Sequence, residues 1–481
     1  MKIKSILVLC LFAFVGCSPE DFNFEQMEYQ VDKVVCQANA NYFTTDGVSQ
    51  LGLQVKLYTK SGTYEDVNGQ VQNQYSEIPK SRWRQHNIKF FDRSGKEYPS
   101  NYTTTEFTTS TLDFYAEVDG IRSSKPILQE LAEHPLTGNA IPEDPNPAYF
   151  RMNIRQPYPT PALKKIPIVF HIVDLESVRD RSQELNSDAI YYVIQMFNNV
   201  FGRKAANASN GANTNIEFVP VIRDPKGNIL YEKGINRVYL TDEQHFEQFN
   251  ADYVFNNPSM YWDVDKYLNV WILNHNSWSN TSQSNRYSRS LPFVFAKGKY
   301  DASAFPLPKS IAIKELQNQQ EEDNWEKKPN YLENVGIVFH KSSDGFAQLY
   351  PAYVSQLSAF LGVIPNSSVN DTSAQFGSPK TWVDDYCDDT FAYNQYYAGT
   401  SQGGLASTVF GNSRIKYTVE INAAKNAGKP GYPWITYESV NTGEQSSDQS
   451  IITQDQAKRI EWTLNNAFAR QMWKDSYAIA P

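Results

Sequence analysis

The spacing of apolar and polar residues predicts a β-rich region in the first quarter of the chain. Over residues 51–58 apolar and polar positions largely alternate with a period of two, which is typical of a strand with one buried face. Shorter apolar and aromatic runs at residues 88–91 and 110–118 are each followed by a turn sequence that contains Asp and Gly. Strands of this length and spacing predict an immunoglobulin-like β-sandwich over residues 31–140.

A proline-rich stretch follows the predicted sandwich. Six prolines lie within residues 138–161. Proline has no backbone N–H and a fixed φ, so a dense run of prolines opposes both helices and interior strands. The stretch therefore predicts a linker over residues 141–165 between two folded units.

After the linker the alternating pattern gives way to continuous apolar runs. Such runs are typical of strands that are covered on both faces. They predict four strands, at residues 166–173, 216–222, 267–273 and 334–340. Between the first two, Ser187 caps a helix whose apolar residues lie largely on one face and which closes at Gly202. This alternation predicts an α+β domain with a mixed sheet over residues 166–481.

Length and composition narrow the class of protein. The chain has 481 residues, of which 41% are hydrophobic and 14% aromatic, and such a composition indicates folded domains rather than disorder. The net charge is −9 and no long basic run is present. Nucleic acid is therefore not expected as a partner.

The amino terminus resembles a bacterial lipoprotein signal peptide. Lys2 and Lys4 precede a short apolar run that ends before Gly16 and Cys17, and the run is too short to span a bilayer. The resemblance implies that cleavage just before Cys17 leaves this cysteine as the lipidated first residue, with residues 18–30 as a tether. Acidic residues just after Cys17 resemble the surface-export signal of Bacteroidetes lipoproteins, so the expected location is the outer face of the outer membrane. An ordinary cleaved secretory signal is the alternative.

Two cysteines remain once the signal peptide and the lipidated residue are set aside. Cys36 and Cys387 lie far apart in the sequence. Outside the cytoplasm they could form one disulfide, or both could be buried thiols, and the sequence does not decide between these alternatives.

One stretch of the second unit has the frame of a zinc-protease active-site helix. The metzincin signature H-E-x-x-H-x-x-G-x-x-H supplies three zinc ligands, a general base and a turn glycine. The stretch 355–365 resembles this frame, but only the turn glycine is retained. The frame positions are occupied by Ser355, Gln356, Ala359, Gly362 and Pro365.

The order of segments around this frame resembles the pappalysin/cytophagalysin family of metzincin metalloproteases. The sequences IPIVFHIV, NIEFVPVIRDPKGN and YLNVWIL precede the frame, and a helix that begins after Thr453 follows it. The resemblance covers residues 160 to 475 and implies a zincin-type fold. It also places Ile415 at the position of the methionine that lies under the metal in the family.

Zinc is not expected as a cofactor despite this resemblance. Ser355, Ala359 and Pro365 replace the three imidazole ligands, and Gln356 cannot accept a proton as a glutamate does. No two of the six histidines are three or four residues apart, so no helix can offer two imidazoles to one metal. His171 and His340 fall in predicted strands and are interpreted as ordinary sheet residues.

Clustered carboxylates are the next candidate for metal chemistry. Four aspartates lie in one predicted loop, at Asp384, Asp385, Asp388 and Asp389. Oxygen-rich loops can hold Ca²⁺, although the spacing of an EF-hand is absent. A solvated acidic loop is the alternative interpretation.

These observations predict a lipid-anchored surface protein with a catalytically inactive metzincin-like domain that binds a peptide or protein. The expected binding element is an edge strand with Val335, Ile337 and Phe339, to which an extended peptide could add. An active peptidase with a relocated site is one alternative. An adhesin or glycan-binding protein that acts through the amino-terminal sandwich is another. The oligomeric state is not predicted.

Overall fold

The computed structural model describes two groups of elements, formed by residues 33–155 and 164–479. The described residues are 29–38, 42–65, 69, 71–124, 149–176, 186–205, 210–241, 257–273, 292–307, 313–318, 320–321, 335–340, 350–364, 382–383, 387, 389, 393–394 and 451–480.

Nine strands build the amino-terminal unit within these ranges. In chain order they are β1 (Lys33–Ala38), β2 (Tyr42–Thr44), β3 (Leu53–Glu65), β4 (Val71–Glu77), β5 (Ile88–Asp92), β6 (Glu97–Tyr98), β7 (Thr111–Val118), β8 (Ile121–Arg122) and β9 (Phe150–Arg155). One sheet has the order β1-β3-β4. The other has the order β2-β9-β7-β5-β6, and β8 also pairs with β7.

The two sheets of this unit share one hydrophobic core. Over residues 53–57 of β3 every second residue is buried, including Val55 and Leu57, as the alternating sequence predicts. These side chains belong to the same cluster as Phe114 of β7 and Met152 of β9, which come from the second sheet. The described part of the unit is therefore a two-sheet arrangement with a common core. Its assignment as immunoglobulin-like stays a prediction.

The linker prediction is wrong for residues 150–155. This segment is β9, which lies between β2 and β7 in the second sheet. Its sequence alternates apolar and polar residues, and Phe150 and Met152 are buried in the core. No proline lies inside the strand, so its backbone N–H groups are available to the neighbouring strands. The other predicted domain boundaries stay predictions.

The second unit combines a parallel sheet with helices, so the predicted mixture of helix and strand is confirmed. Its described elements are β10 (Lys164–Leu175), α1 (Ser187–Phe201), β11 (Ile216–Pro220), β12 (Ile235–Leu240), β13 (Leu268–Leu273), β14 (Val294–Ala296), β15 (Lys314–Leu316), β16 (Gly336–His340), α2 (Tyr350–Phe360), β17 (Trp382–Val383), β18 (Tyr393–Asn394) and α3 (Gln454–Asn466). Two 3-10 turns, Met472–Lys474 and Tyr477–Ile479, follow α3.

The long strand β10 organises the sheet of the second unit. One side of β10 pairs first with β11 and then with β12, and its other side pairs with β13. β16 pairs with β13, which gives the order β11-β10-β13-β16. Every pairing among these described strands is parallel. Parallel strands need both faces covered, which explains why their sequences are nearly continuous apolar runs.

Helix α1 covers one face of this sheet. Its buried residues recur at helical spacing and include Ile190, Val193 and Phe197. The helix is capped by Asn186 rather than by the predicted Ser187, because the Asn186 side chain accepts a hydrogen bond from the Asp188 backbone N–H. The predicted stop at Gly202 is confirmed.

Helix α3 begins at a complete capping box. The Thr453 hydroxyl accepts from the Gln456 N–H, and the Gln456 side chain accepts from the Thr453 N–H. The apolar face of the helix, with Ile460 and Leu464, joins the same core as α1 and the sheet. The predicted helix after Thr453 is thus present, and it ends at Asn466.

Buried polar contacts join the two units. Gln454 Nε2 donates to the Thr44 hydroxyl over 2.5 Å, and Arg203 donates to Asp46 and to the Ser49 hydroxyl. A third contact lies at Arg155, described below. Since these groups are mostly buried, the amino-terminal unit is fastened to the start of α3 and the end of α1.

Two further expectations concern cysteine and membrane. Cys36 and Cys387 are both buried and form no disulfide, so the structure favours the second of the two alternatives. Within the part of the chain that is described, no helix has the length and apolar character required to cross a bilayer. Cys17 lies outside the described residues, and lipidation there stays a prediction.

Candidate functional site

Helix α2 carries three of the positions that resemble the metzincin frame in the sequence. Ser355, Gln356 and Ala359 lie on it, and their exposed fractions are 6%, 2% and 0%. The neighbouring Tyr353, Leu357 and Phe360 belong to the main core of the second unit. The frame positions on α2 are thus enclosed by protein.

The turn glycine of the frame keeps its conformational role. Gly362 has a φ of +101°, which side chains other than that of glycine rarely adopt. A Cβ at this position would also overlap the Thr463 hydroxyl and come within 3.0 Å of the Phe305 ring. The glycine is therefore required for the turn and for the close approach of α3.

Two buried arginines hold the carboxyl end of α2. Arg459 Nε donates to the Gly362 carbonyl over 3.1 Å, and Arg470 Nε donates to the Phe360 carbonyl over 2.7 Å. The last carbonyls of a helix have no partner within the helix and carry a partial negative charge, so cations there are stabilising. Burial lowers the pKa of Arg470 to about 9. The end of the remnant helix is a structural junction.

The residues of the frame do not fit a catalytic zinc ion. Such an ion needs three protein ligands and one position open to water or substrate. Ser355 and Ala359 supply no imidazole, and their burial leaves no open position at them. In the described ranges, no group of three His, Cys, Asp or Glu residues is close enough to hold a metal ion. Pro365 and Ile415 lie outside the described residues.

Asp389, one of the four predicted calcium ligands, is engaged by protein groups. Its carboxylate accepts hydrogen bonds from Arg155, from the Thr453 hydroxyl at 2.8 Å and from the Asp455 N–H at 3.1 Å. Arg155 also contacts Asp455 at 3.3 Å. Asp389 thereby links β9 of the first unit to the start of α3. Asp384, Asp385 and Asp388 lie outside the described residues, and calcium binding there stays a prediction.

Burial decides the protonation of Asp389. Desolvation raises the pKa of its carboxyl to about 6, against the lowering effect of Arg155. The Asp455 carboxylate nearby raises it further. The contact between the two units therefore contains a carboxyl group that titrates near neutral pH.

The predicted peptide-binding strand lies at one end of the described strand order. β16 pairs with β13 on one side only among the described residues. Val335, Ile337 and Phe339 are exposed by no more than 3%, and Phe339 packs edge-on against Tyr353 of α2. Their side chains are part of the core, so a ligand could not be bound through them.

The opposite end of the sheet is closed by a side chain that the sequence analysis did not single out. Asn198 of α1 donates to the Phe218 carbonyl at 3.0 Å and accepts from the Phe218 N–H at 2.7 Å. The amide of Asn198 thus replaces a neighbouring strand at the outer edge of β11. Pro220, two residues further on, has no N–H to offer. Asn198 occurs in a helical pattern, where an Asn indicates nothing about an edge.

The interpretation of His171 as a sheet residue is confirmed. His171 lies on β10 and is fully buried. Its Nδ1 accepts from Asn236 of β12 at 2.8 Å, and its Nε2 donates to Asn269 of β13 at 2.9 Å. Burial lowers the pKa of His171 to about 4, so the ring is neutral at pH 7. The residue ties three strands together.

Comparison with known proteins gives a coarse likeness. No family model matches the chain, and no curated protein matches it. Mature mirolysin of Tannerella forsythia, solved in complex with a cleaved peptide, is 17% identical with a TM-score of 0.40 over 67% of this chain and 100% of that chain. A promirolysin mutant from the same organism is 18% identical with a TM-score of 0.41 over 66% and 87%.

TM-scores of 0.40 and 0.41 are too low to transfer a site from one chain to the other. The candidate site is therefore interpreted from the residues of this chain alone.

Proposed function

We propose that this chain is a non-catalytic, metzincin-like surface lipoprotein, anchored through Cys17, that binds an extended peptide along β16. The observation that carries the proposal is the burial of the frame positions on α2 and the residue types found there. Its frame positions Ser355, Gln356 and Ala359 are buried and supply neither a zinc ligand nor a general base.

Packing supports retention of the helix for a structural reason. Arg459 and Arg470 hold the end of α2, and Gly362 lets α3 approach it. If this helix served neither catalysis nor packing, nothing would favour a glycine with a positive φ at position 362. The frame therefore persists as the support behind β16, against which Tyr353 packs.

The sheet supports the choice of binding element. Peptide addition to an edge strand depends on unpaired backbone N–H and C=O groups. β11 offers neither group at Phe218, because Asn198 uses both. β16 pairs on one side only within the described ranges, so it is the end of the sheet at which we place the peptide.

The test uses the mature chain with Cys17→Ser, which removes the lipid. The protein is incubated with a library of extended peptides, and captured and cleaved species are both identified by mass spectrometry. Capture without cleavage is expected, with slower amide hydrogen exchange in Gly336–His340 and unchanged exchange in Ile216–Pro220 as the internal control.

Three outcomes separate the proposal from its alternatives. Specific cleavage, or one equivalent of zinc retained after removal of excess metal, would show an active metallopeptidase and end the proposal. Capture that slows exchange in β1 to β9 instead would assign binding to the amino-terminal sandwich. Capture of no peptide by the mature chain would remove the binding role of β16.

A further inference from the structure

A groove lies between α1 and β11, on the opposite end of the sheet from β16. Its volume is about 390 Å³, a size within the range of small-molecule sites. The residues that line it are Tyr191, Ile194, Gln195, Asn198, Asn199, Lys204, Glu217, Phe218, Val219 and Pro220. They come from one face of α1, the turn after it and the edge strand.

The floor of the groove cannot recognise a peptide backbone. Asn198 occupies the N–H and C=O of Phe218, and Pro220 has no N–H. An occupant must therefore be bound by side chains rather than by addition of a strand. This separates the groove from the site proposed on β16.

One wall of the groove is an aromatic ring. Tyr191 is 37% exposed, so part of its ring can be reached from solvent. The buried Ile194 extends this apolar surface into the groove.

The rest of the lining combines donors and acceptors. Gln195 and Asn199 carry amides, which both donate and accept hydrogen bonds. Lys204 folds back beside Asn199 because its N–H donates to the Asn199 carbonyl over 2.6 Å. Glu217 adds a carboxylate, which pairs with Lys165 at 3.7 Å across the edge. Donors and acceptors thus surround one apolar wall.

We propose that this groove binds one or two units of a neutral saccharide. A sugar ring has an apolar face of C–H groups that suits Tyr191. Its hydroxyls both donate and accept, and so match the amides of Gln195 and Asn199 together with Lys204 and Glu217. Lys204 and Glu217 carry opposite formal charges, so the residues that line the groove have no net charge.

The test uses the mature chain with Cys17→Ser and a panel of free sugars, namely glucose, galactose, mannose, N-acetylglucosamine, maltose and cellobiose. Binding is measured by saturation-transfer NMR and isothermal titration. A dissociation constant on the order of 1 mM is expected for at least one sugar. Tyr191→Ala should weaken it by about tenfold or more, while Tyr191→Phe should retain most of it.

Tyr192→Ala is the control, because Tyr192 is an exposed tyrosine on the same helix, 52% against 37% for Tyr191, and is not among the residues that line the groove. Equal loss in the two alanine variants, or no loss in Tyr191→Ala, would overturn the proposal. So would absence of binding by every sugar at about ten times the expected dissociation constant. A peptide that displaces the sugar from the unmodified chain would assign the groove to peptide instead. Exchange of Gly336–His340 is monitored throughout, so failure here is distinguishable from failure at β16.

Discussion

The two ends of the parallel sheet in the second unit are finished in different ways. At β11 a helix side chain, Asn198, takes the place of a further strand, and Pro220 removes the next donor. At β16 the described residues include no such replacement, and the strand is instead braced from behind by Tyr353 of α2. The β11 end is closed to a further strand by Asn198, whereas the β16 end is supported by the packing of Tyr353.

The difference indicates what a protein needs if it uses only one edge of a sheet for binding. An unprotected edge is a risk for aggregation, so a protein that keeps one edge available needs the other closed. Asn198 closes β11 at the cost of a single side chain. Helix α2 packs against β16 through Tyr353, and under the proposed function this packing supports the edge that receives the peptide.

The largest effect is expected from a substitution that disrupts the pairing of β16 with β13. A Cβ at Gly336 would overlap the Trp271 ring and lie 2.5 Å from the Asn269 carbonyl, so Gly336→Ala should push β16 away from β13. We expect a loss of about 3 kcal/mol or more in the free energy of unfolding, measured with urea. Peptide capture should be lost as well.

Gly62→Ala is the control for this variant. A Cβ at Gly62 would meet only Gln74, at an ordinary 3.7 Å, and φ there is not positive. It should change stability by no more than about 1 kcal/mol. Equal effects of the two substitutions would contradict the role assigned to Gly336.

The next effect tests the middle of the sheet, which keeps the two ends in register. Because burial lowers the pKa of His171 to about 4, its contribution to stability is present above the unfolded pKa of about 6.5 and is lost as pH falls toward 4. Between pH 7 and pH 5 the loss should be about 2 kcal/mol. Urea unfolding at several pH values measures it.

His171→Gln is the comparison variant. Gln does not ionise, so the loss of unfolding free energy between pH 7 and pH 5 should be smaller by about 2 kcal/mol in this variant. The comparison is needed because Asp389 acts with the opposite sign. Its raised pKa of about 6 gives stability that is present below 3.8 and lost as pH rises through 6, and this contribution cancels between the two proteins. A His171 ring that titrates in NMR above pH 6 would contradict the burial argument.

A smaller effect should follow when the closed end is opened. Asn198→Ala leaves the Phe218 N–H and C=O without the amide, which should cost about 1 kcal/mol. The newly available edge should also promote self-association at high concentration, measured by analytical ultracentrifugation. Asn199→Ala serves as control, because no side-chain bond to β11 involves it. Association by both variants, or by neither, would reject the role of Asn198.

The smallest effect concerns the charges beside β11. Lys165 and Glu217 are 3.7 Å apart and each about half exposed. Lys165→Ala should therefore change the free energy of unfolding by less than about 0.5 kcal/mol. A loss above 1 kcal/mol in thermal or urea unfolding would mean that charge, and not the Asn198 amide, governs this edge.

The regular part of the fold could be predicted from local pattern. The strands at β3, β5, β7, β10, β11, β13 and β16 follow from alternating or continuous apolar runs, and α1 from its helical period. The strand β9 is not predicted, because the prolines on both sides of it indicate a linker, although Phe150 and Met152 alternate with polar residues. Its partners in the sheet, β2 and β7, lie far away in the sequence.

The candidate site could be predicted less completely. The residue types at Ser355, Gln356 and Ala359 can be read from the sequence, since residue identity is a local property. The groups that hold the end of their helix cannot, because Arg470 reaches the Phe360 carbonyl across 110 residues. The partner of Asp389 could not be predicted for the same reason, since Arg155 lies 234 residues earlier. Three-dimensional partners decide the role of a polar group, and spacing does not report them.

The contacts between the units also have a consequence for the order of events in folding. Gln454 bonds Thr44 across 410 positions, and Asp455 meets Arg155 across 300. Contacts of such separation close large loops and form late. The surface of the first unit at β2 and β9 is therefore covered only when the start of α3 is in place. A chain that ended before Thr453 would contain every described strand of both units and would still expose that surface to chaperones and proteases.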